Sequence, residues 1–260
     1  MNDPKSFLAH LFDLSDKHVL LTGASSGLGR HFARTLARAG ARVALAARSV
    51  GKLHELAAEI AAEGGRCAVY ALDVRDREGC RSCIAAAEAV APVNVLVNNA
   101  GIAIPKASQK LTDEEWDQVY ETNLRGPWTL AQALIKRRLA DGGGLSIVNV
   151  ASVLGIRAIG HLAPYAAAKA GLINLGRDLC VDYAANGIRV NALAPGYFIT
   201  EMNDEWLKTP AGERLRNRIP AKRFGDPAEL DGALVYLVSD ASRYMNGNLV
   251  TVDGGHTAAI

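Results

Sequence analysis

The sequence predicts an α/β fold with a doubly wound, seven-stranded, mostly parallel sheet that carries helices on both faces. Short apolar runs rich in β-forming residues alternate with longer stretches of helical periodicity. Residues 19–21 and 95–97 are apolar without a break, which is typical of strands covered on both faces. The length of 260 residues suits one domain, so we expect a single unit over residues 1–260. The predicted strands are residues 18–22, 42–47, 67–72, 94–97, 145–150, 188–193 and 248–252.

Helix boundaries can be predicted at three places. Thr112 with Glu115 forms a capping box, and Asp226 is an N-cap before Pro227 in the first helical position. Gly40 stands where the first helix after the first strand must end. These signals agree with a chain in which helices fill the intervals between strands.

The composition excludes several classes of partner. The net charge is +2 and the basic residues are scattered, so nucleic acid is not expected as a partner. No run reaches the ~20 apolar residues of a membrane span, and the N-terminus lacks the pattern of a signal peptide. Cys80 and Cys83 are the one close cysteine pair, and we interpret them as small helix residues because further zinc ligands are missing. We therefore expect a cytoplasmic protein with no membrane partner and no metal site.

A glycine-rich turn follows the first predicted strand. Residues 22–29 open a helix whose apolar residues Leu28, Phe32 and Leu36 recur every four positions. Glycines let the backbone approach a pyrophosphate, and the helix N-terminus offers unpaired N–H groups, although such glycines also permit tight packing alone. The context predicts a Rossmann-type dinucleotide-binding turn. Its candidate phosphate-binding residues are Gly23, Ser25, Ser26, Gly27, Leu28 and Gly29.

The end of the second predicted strand indicates which nicotinamide cofactor is preferred. A carboxylate there would bind the adenosine ribose and repel a 2′-phosphate. The sequence instead has Arg48 followed by Ser49. Because Arg48 would attract a 2′-phosphate through a charge-assisted pair, we predict NADP(H) in preference to NAD(H). The alternative interpretation of Arg48 is an ordinary solvated side chain.

Three residues form a candidate catalytic group. Tyr165 and Lys169 are four apart in a predicted helix and therefore share a face. A nearby ammonium would make the phenol more acidic, so that it exchanges a proton closer to neutral pH. Ser152 follows the fifth predicted strand, where a hydroxyl can donate to a substrate carbonyl as it becomes an alkoxide.

These motifs resemble the short-chain dehydrogenase/reductase family, whose order and spacing continue through residues 98–101, 195–196 and 200. The resemblance implies a catalytic tetrad of Asn123, Ser152, Tyr165 and Lys169, with Asn123 and Lys169 holding a proton path, and a homotetramer. It also implies that Asp73 contacts the adenine. The further cofactor contacts that it implies are Val74, Asn99, Ala100, Gly101, Tyr165, Lys169, Pro195, Gly196, Phe198 and Thr200.

The expected reaction is hydride transfer between the nicotinamide and a ketone or secondary alcohol. An apolar pocket favours a 3-oxoacyl or similar carbonyl substrate, and Lys136, Arg137 and Arg138 could meet an acidic carrier. The alternatives are a sugar-acid or polyol dehydrogenase, such as a gluconate 5-dehydrogenase, and a non-catalytic NADP-sensing regulator. Residues 197–225 contain no clear strand, so we expect a mobile flap over the substrate. The predicted pocket residues are Val153, Leu154, Ile156, Ala158, His161, Tyr197 and Phe198.

Overall fold

Seven strands form one sheet in the computed structural model, which describes residues 4–200 and 204–259. Their order across the sheet is β3-β2-β1-β4-β5-β6-β7, and every neighbouring pair is parallel. All seven predicted strands are confirmed, with ends that differ by at most two residues, and the sheet is parallel throughout rather than mostly parallel. The strands are β1 (His18–Thr22), β2 (Arg42–Ala47), β3 (Arg66–Ala71), β4 (Val95–Asn98), β5 (Leu145–Val150), β6 (Ile188–Pro195) and β7 (Leu249–Val252).

Helices connect consecutive strands and begin where the sequence predicts. Thr112 and Glu115 form the expected capping box. Asp226 caps a short 3₁₀ turn, Pro227–Leu230, that leads into a longer helix. Gly40, with a φ of 98°, follows the end of the first crossover helix. The helices are α1 (Pro4–Phe12), α2 (Gly27–Arg38), α3 (Val50–Ala62), α4 (Arg77–Glu88), α5 (Asp113–Tyr120), α6 (Gly126–Asp141), α7 (Ala163–Tyr183), α8 (Asp204–Leu207), α9 (Pro210–Arg218) and α10 (Asp231–Val238).

The core has two halves, one on each face of the sheet. Successive residues of a strand point to opposite faces, so Leu21 belongs to one half and Leu20 to the other. Phe32 of α2 packs into the first half, and Leu134 of α6 packs into the second. All four side chains are fully buried. The continuous apolar runs of the sequence are thus explained by a sheet that is covered on both sides.

The predicted flap has more structure than its sequence indicates. Residues 197–225 contain α8 and α9, while residues 201–203 lie outside the described part of the chain. The two ends of the segment are joined, because the Gly225 N–H donates to the Tyr197 carbonyl at 2.9 Å and Ile199 N–H donates to the Gly225 carbonyl at 3.0 Å. The movement of this segment stays a prediction.

The cysteine pair lies on a helix, as predicted. Cys80 and Cys83 are buried in α4, and burial raises their pKa values to about 12 and about 11, so both remain thiols. No group of side chains suited to a metal ion occurs in residues 4–200 and 204–259. Nor is any helix within those ranges long and apolar enough to cross a membrane.

Thr22 joins the carboxyl end of β1 to that of β4. Its hydroxyl accepts hydrogen bonds from the backbone N–H groups of Asn99 and Ala100, both at 3.1 Å. The Thr22 side chain is 1% exposed. This buried hydroxyl therefore links the ends of β1 and β4 at the point where the glycine-rich turn begins.

We predict that Thr22→Val destabilises the fold by about 1–3 kcal/mol, because valine has the same shape but leaves two inward-facing N–H groups without an acceptor. Urea unfolding measures the change. Thr251→Val, on an exposed position of β7, is the matched control and should be close to neutral. Equal stability of the two variants would contradict the role given to Thr22.

Candidate active site

One cleft of about 510 Å³ opens at the carboxyl ends of the strands, where ligands of doubly wound sheets bind. It reaches from the glycine-rich turn, past the end of β2, to the start of α7. All eighteen residues predicted to contact the cofactor line it: Gly23, Ser25, Ser26, Gly27, Leu28, Gly29, Arg48, Asp73, Val74, Asn99, Ala100, Gly101, Tyr165, Lys169, Pro195, Gly196, Phe198 and Thr200. Their convergence is observed, while their contact with a cofactor stays a prediction.

The glycine positions of the glycine-rich turn do not tolerate side chains. Gly23 and Gly27 have φ values of 68° and 52°, in the left-handed region that favours glycine. A Cβ on Gly29 would lie 2.1 Å from the Gly23 carbonyl oxygen. The turn leads directly into α2, and Ser26 at its N-cap makes no side-chain capping bond. A close-packed backbone ahead of a free helix N-terminus fits the pyrophosphate of a dinucleotide.

Asn99 supports this turn from the neighbouring strand. Its side-chain amide donates to the carbonyl oxygens of Thr22 at 3.0 Å and Gly23 at 3.3 Å. The amide hydrogens of Asn99 are therefore used to hold the turn in place. The sequence analysis assigned Asn99 to the cofactor and missed this supporting contact.

The far end of the cleft is basic. Arg48 lines it together with Ser49 and Lys52, and no ion-pair partner for Arg48 or Lys52 occurs in the described ranges. Asp73 is different, because its carboxylate forms an ion pair with Arg75 at 2.7 Å. The hydrogen bond from Arg75 lowers the pKa of Asp73. Lys52 was not predicted, although its place in the first turn of the helix that follows β2 was a usable signal.

Ser152, Tyr165 and Lys169 meet at the middle of the cleft. Ser152 follows β5 directly, and its hydroxyl accepts from the Leu154 N–H at 3.1 Å. Tyr165 and Lys169 lie one turn apart in α7, with the Lys169 Nζ 5.7 Å from the centre of the tyrosine ring. The same Nζ donates to the carbonyl of Val150 at 2.7 Å. The three predicted side chains are thus brought together from two elements.

Burial dominates the electrostatics of this group. It lowers the pKa of Lys169 from its ordinary value of 10.5 to about 8. It also raises the pKa of Tyr165, and a hydrogen bond with Ser152 acts in the opposite direction. The expected acidification of the phenol by Lys169 is therefore not found: the pKa of Tyr165 is raised, and a lysine with a pKa of about 8 is already neutral where such a phenol titrates.

Asn123 lies behind the cleft rather than on its wall. It belongs to a π-helical turn, Glu121–Arg125, and its side chain exchanges two hydrogen bonds with the backbone of Ile102, at 2.8 and 2.7 Å. A Cβ on Gly101 would lie 3.2 Å from the Asn123 Oδ1 and 3.4 Å from the Lys169 Nζ. Asn123 and Lys169 therefore both border the backbone of Gly101. Single π-helical turns of this kind are frequent at functional sites.

The predicted substrate pocket stays a prediction. Tyr197 and Phe198 line the cleft. The other five residues do not line it. Those five are Val153 and Leu154, which are buried, and Ile156, Ala158 and His161, which are exposed.

The predicted carrier-binding trio loses one member. Arg138 is 4% exposed, and its guanidinium contacts Glu88 and Asp141, each at 2.8 Å. A buried arginine whose charge is already paired is not free to meet an acidic partner. Lys136 and Arg137 alone are a weak carrier-binding signal.

A cleft of this size at the strand ends, closed at one end by a glycine turn and holding a buried lysine beside a tyrosine, is the arrangement of a nicotinamide-dependent oxidoreductase. Comparisons with known proteins agree. The family model described as enoyl-(acyl carrier protein) reductase matches residues 23–257. The gluconate 5-dehydrogenase of Gluconobacter oxydans is 36% identical over 252 residues, which are 96% of this chain and 98% of that protein.

Two further relatives represent both expected substrate classes. The 3-oxoacyl-[acyl-carrier-protein] reductase of Thermotoga maritima is 36% identical over 93% of this chain and 98% of its own. The crystal structure of a gluconate 5-dehydrogenase from Burkholderia cenocepacia, in complex with NADP and tartrate, superimposes with a TM-score of 0.93 at 36% identity, covering 97% of this chain and 100% of its own. The chain belongs to the short-chain dehydrogenase/reductase family. It is an NAD(P)-dependent oxidoreductase that acts on CH–OH groups.

The burial of Lys169 predicts a pH dependence of stability. In the unfolded chain the lysine titrates near its ordinary value of 10.5, so between pH 8 and 10.5 the unfolded state binds more protons than the folded state. The cost of the buried charge is present in full below pH 8 and disappears above 10.5. It amounts to about 3 kcal/mol.

We expect Lys169→Met to remove this slope. The difference in unfolding free energy between wild type and variant should shift by about 3 kcal/mol in favour of wild type as the pH rises from 8 to 10.5. Urea unfolding at each pH measures it. A difference that stays constant over this window would show that the buried lysine is not destabilised.

Proposed function

We propose that this chain is an NADP(H)-dependent oxidoreductase that exchanges a hydride between the nicotinamide and a ketone or secondary alcohol. Asn123, Ser152, Tyr165 and Lys169 are the proposed catalytic residues. The observation that carries the proposal is the convergence of Ser152, Tyr165 and Lys169 on one cleft that also contains the glycine turn. A homotetramer in the cytoplasm, expected from the sequence, belongs to the same proposal. Large apolar side chains exposed on α5 and α6, Trp116 and Trp128, are in keeping with such an assembly.

Each proposed catalytic residue has a distinct task. The Ser152 hydroxyl donates to the carbonyl oxygen and polarises it, and Tyr165 delivers a proton to that oxygen. The nicotinamide, when bound, supplies the hydride to the carbonyl carbon or takes it from the alcohol. In the oxidation direction, Tyr165 accepts the alcohol proton. Apolar side chains around these groups keep water from competing for their hydrogen bonds.

Lys169 and Asn123 support Tyr165. Lys169, whose Nζ lies 5.7 Å from the centre of the Tyr165 ring, attracts the phenolate for as long as the lysine carries its proton. The Lys169 pKa of about 8 lets this ammonium exchange protons near neutral pH. Asn123, fixed on the backbone of Ile102, borders Gly101 beside the lysine and continues the path for the proton.

We predict that Tyr165→Phe lowers kcat by about 10³-fold, because the proton donor is lost while the ring remains. NADPH binding, measured by fluorescence titration, should stay within about twofold, since the phenol contributes little cofactor contact area. Tyr183→Phe is the matched control, because it removes the same hydroxyl from a half-buried position of the same helix. Turnover retained by Tyr165→Phe would reject the proposed role.

The preference for NADP(H) rests on the basic end of the cleft. Arg48, before the start of α3, and Lys52, in its first turn, line this end of the cleft together with the hydroxyl of Ser49, and these three donors suit a phosphate dianion. The Asp73 carboxylate does not compete with them, because its charge is paired with Arg75. The NADP named with the Burkholderia cenocepacia structure also supports the proposal.

We expect Arg48→Ala to raise the KM for NADPH by about 10- to 100-fold, the worth of one charge-assisted contact, and to leave the KM for NADH within about twofold. Lys52→Ala should act in the same direction with a smaller effect, because lysine binds phosphate as a point charge. Arg77→Ala, an exposed arginine of α4 away from the cleft, is the control. Equal increases in the KM values for NADPH and NADH would show that Arg48 does not contact the 2′-phosphate.

Two substrate classes remain candidates, each with an observation in its favour. Phe198 on the wall and the exposed Ile199 beside it favour the 3-oxoacyl or similar carbonyl substrate. The burial of Arg138 weakens docking of a carrier protein, which favours a small sugar acid or polyol. A kinetic panel tests the proposal: 3-oxobutanoyl thioester, 5-keto-D-gluconate, dihydroxyacetone, acetoin and butan-2-one with NADPH and NADH, followed by absorbance. Binding of NADPH with no turnover of any compound would favour the non-catalytic regulator.

A further inference from the structure

Tyr197 carries a polar atom that the rest of the cleft does not use. Its ring lines the cleft near Ser152 and Tyr165, and it also lines a second cavity of about 130 Å³ behind the flap segment. Its hydroxyl oxygen is buried and has no hydrogen-bond partner among residues 4–200 and 204–259. Buried hydroxyls are almost always paired, so an unpaired one on the wall of an active site points to a partner that arrives with the ligand.

The backbone around Tyr197 is held in place. Its carbonyl accepts from the Gly225 N–H at 2.9 Å, and Phe198 pairs with Gly225 in an isolated parallel bridge. The His256 ring packs edge-on against the Tyr197 ring, with their centres 5.6 Å apart and their planes at 84°. The backbone of Tyr197 is therefore fixed, and its ring is held where it lines the cleft.

His256 packs behind Tyr197 and does not line the cleft itself. Its Nδ1 is buried and, within the described ranges, also lacks a hydrogen-bond partner. The turn that presents it is well fixed, since the Asp253 carboxylate accepts from the backbone N–H groups of Gly255 at 2.9 Å and Thr257 at 2.7 Å. The unpaired atom that belongs to a residue of the cleft wall is therefore the Tyr197 hydroxyl. A ligand hydroxyl both donates and accepts, so it can pair with this phenol, whereas an alkyl chain cannot.

Tyr197 also lies within electrostatic reach of the proposed proton donor. Burial raises the pKa of Tyr197, and the charge of a phenolate at Tyr165 raises it further. Tyr197 and Tyr165 also line the same cleft, so one small molecule can contact both side chains.

We infer that Tyr197 binds the substrate through its hydroxyl, which pairs with a second oxygen of the substrate close to the reacting carbon. The inference rests on the proposed function and selects between its two substrate classes. It assigns a hydroxylated ketone or alcohol, whose hydroxyl can both donate to and accept from the phenol, whereas the thioester carbonyl of a 3-oxoacyl compound can only accept. A site with unpaired polar groups rejects analogues that lack the matching hydroxyl.

The test compares wild type with Tyr197→Phe on carbonyl compounds with and without a neighbouring hydroxyl. The hydroxyl-bearing compounds are 5-keto-D-gluconate, dihydroxyacetone and acetoin, and butan-2-one and 3-oxobutanoyl thioester lack the hydroxyl. For the hydroxyl-bearing compounds that wild type reduces, the variant's KM should rise about 10-fold, the effect of one hydrogen bond. The KM values for butan-2-one, which has no second oxygen, and for NADPH should stay within about twofold, because they make no contact with the hydroxyl.

Two controls separate this inference from a structural role and from the proposed function. Tyr236→Phe makes the same change on α10, away from the cleft, and should alter no KM value. The melting temperature of Tyr197→Phe should remain within about 2 °C of wild type, because the hydroxyl has no protein partner to lose. A larger drop, an equal KM change for both sets of compounds, no KM change at all, or a wild type that reduces only the hydroxyl-free compounds would overturn the inference. A wild type that reduces none of them would overturn the proposed function instead.

Discussion

The active site depends on keeping the ammonium of Lys169 buried beside a phenol. An isolated ammonium removed from water is unstable, and the fold opposes that cost with one carbonyl, that of Val150 at the end of β5. The partial compensation leaves the pKa of Lys169 at about 8. A lysine poised in this way changes its charge near neutral pH, which a solvated lysine does not. The burial that destabilises the charged form of Lys169 therefore also brings its pKa into the range in which it can exchange protons.

The parallel sheet makes this arrangement possible. In a parallel sheet all carboxyl ends lie at one edge, so the carbonyl of Val150, the hydroxyl of Ser152 and the turn after β1 are neighbours without any local sequence signal. The two halves of the cleft are then tied by Thr22 and Asn99, whose side chains bond the backbone of the adjacent strand end. The site is thus fixed by hydrogen bonds that belong to the fold itself.

Much of this was predictable from the sequence, for definable physical reasons. Strands buried on both faces must be apolar throughout, so continuous apolar runs in the sequence locate them. The turn after β1 requires glycine at Gly23, Gly27 and Gly29, because a side chain there would clash or strain the backbone. The π-helical turn that presents Asn123 has no sequence signature, because it differs from an α-helix by a single residue held by tertiary contacts. The burial of Arg138 likewise depends on Glu88, fifty positions earlier in the chain.

The two sides of the cleft differ in how completely their polar groups are satisfied. On the nucleotide side, Asn99 is bonded to the turn and Asp73 is paired with Arg75, so this half is organised before any ligand arrives. On the substrate side, Tyr197 and His256 keep buried polar atoms that the described part of the chain does not pair. An unpaired buried hydroxyl costs about 1–3 kcal/mol, and a ligand oxygen that bonds to Tyr197 would remove that cost. The nucleotide half is therefore preorganised, whereas the substrate half has unmet hydrogen bonds. A scaffold of this kind can keep its cofactor chemistry while a few residues of the cleft wall determine which substrate it accepts.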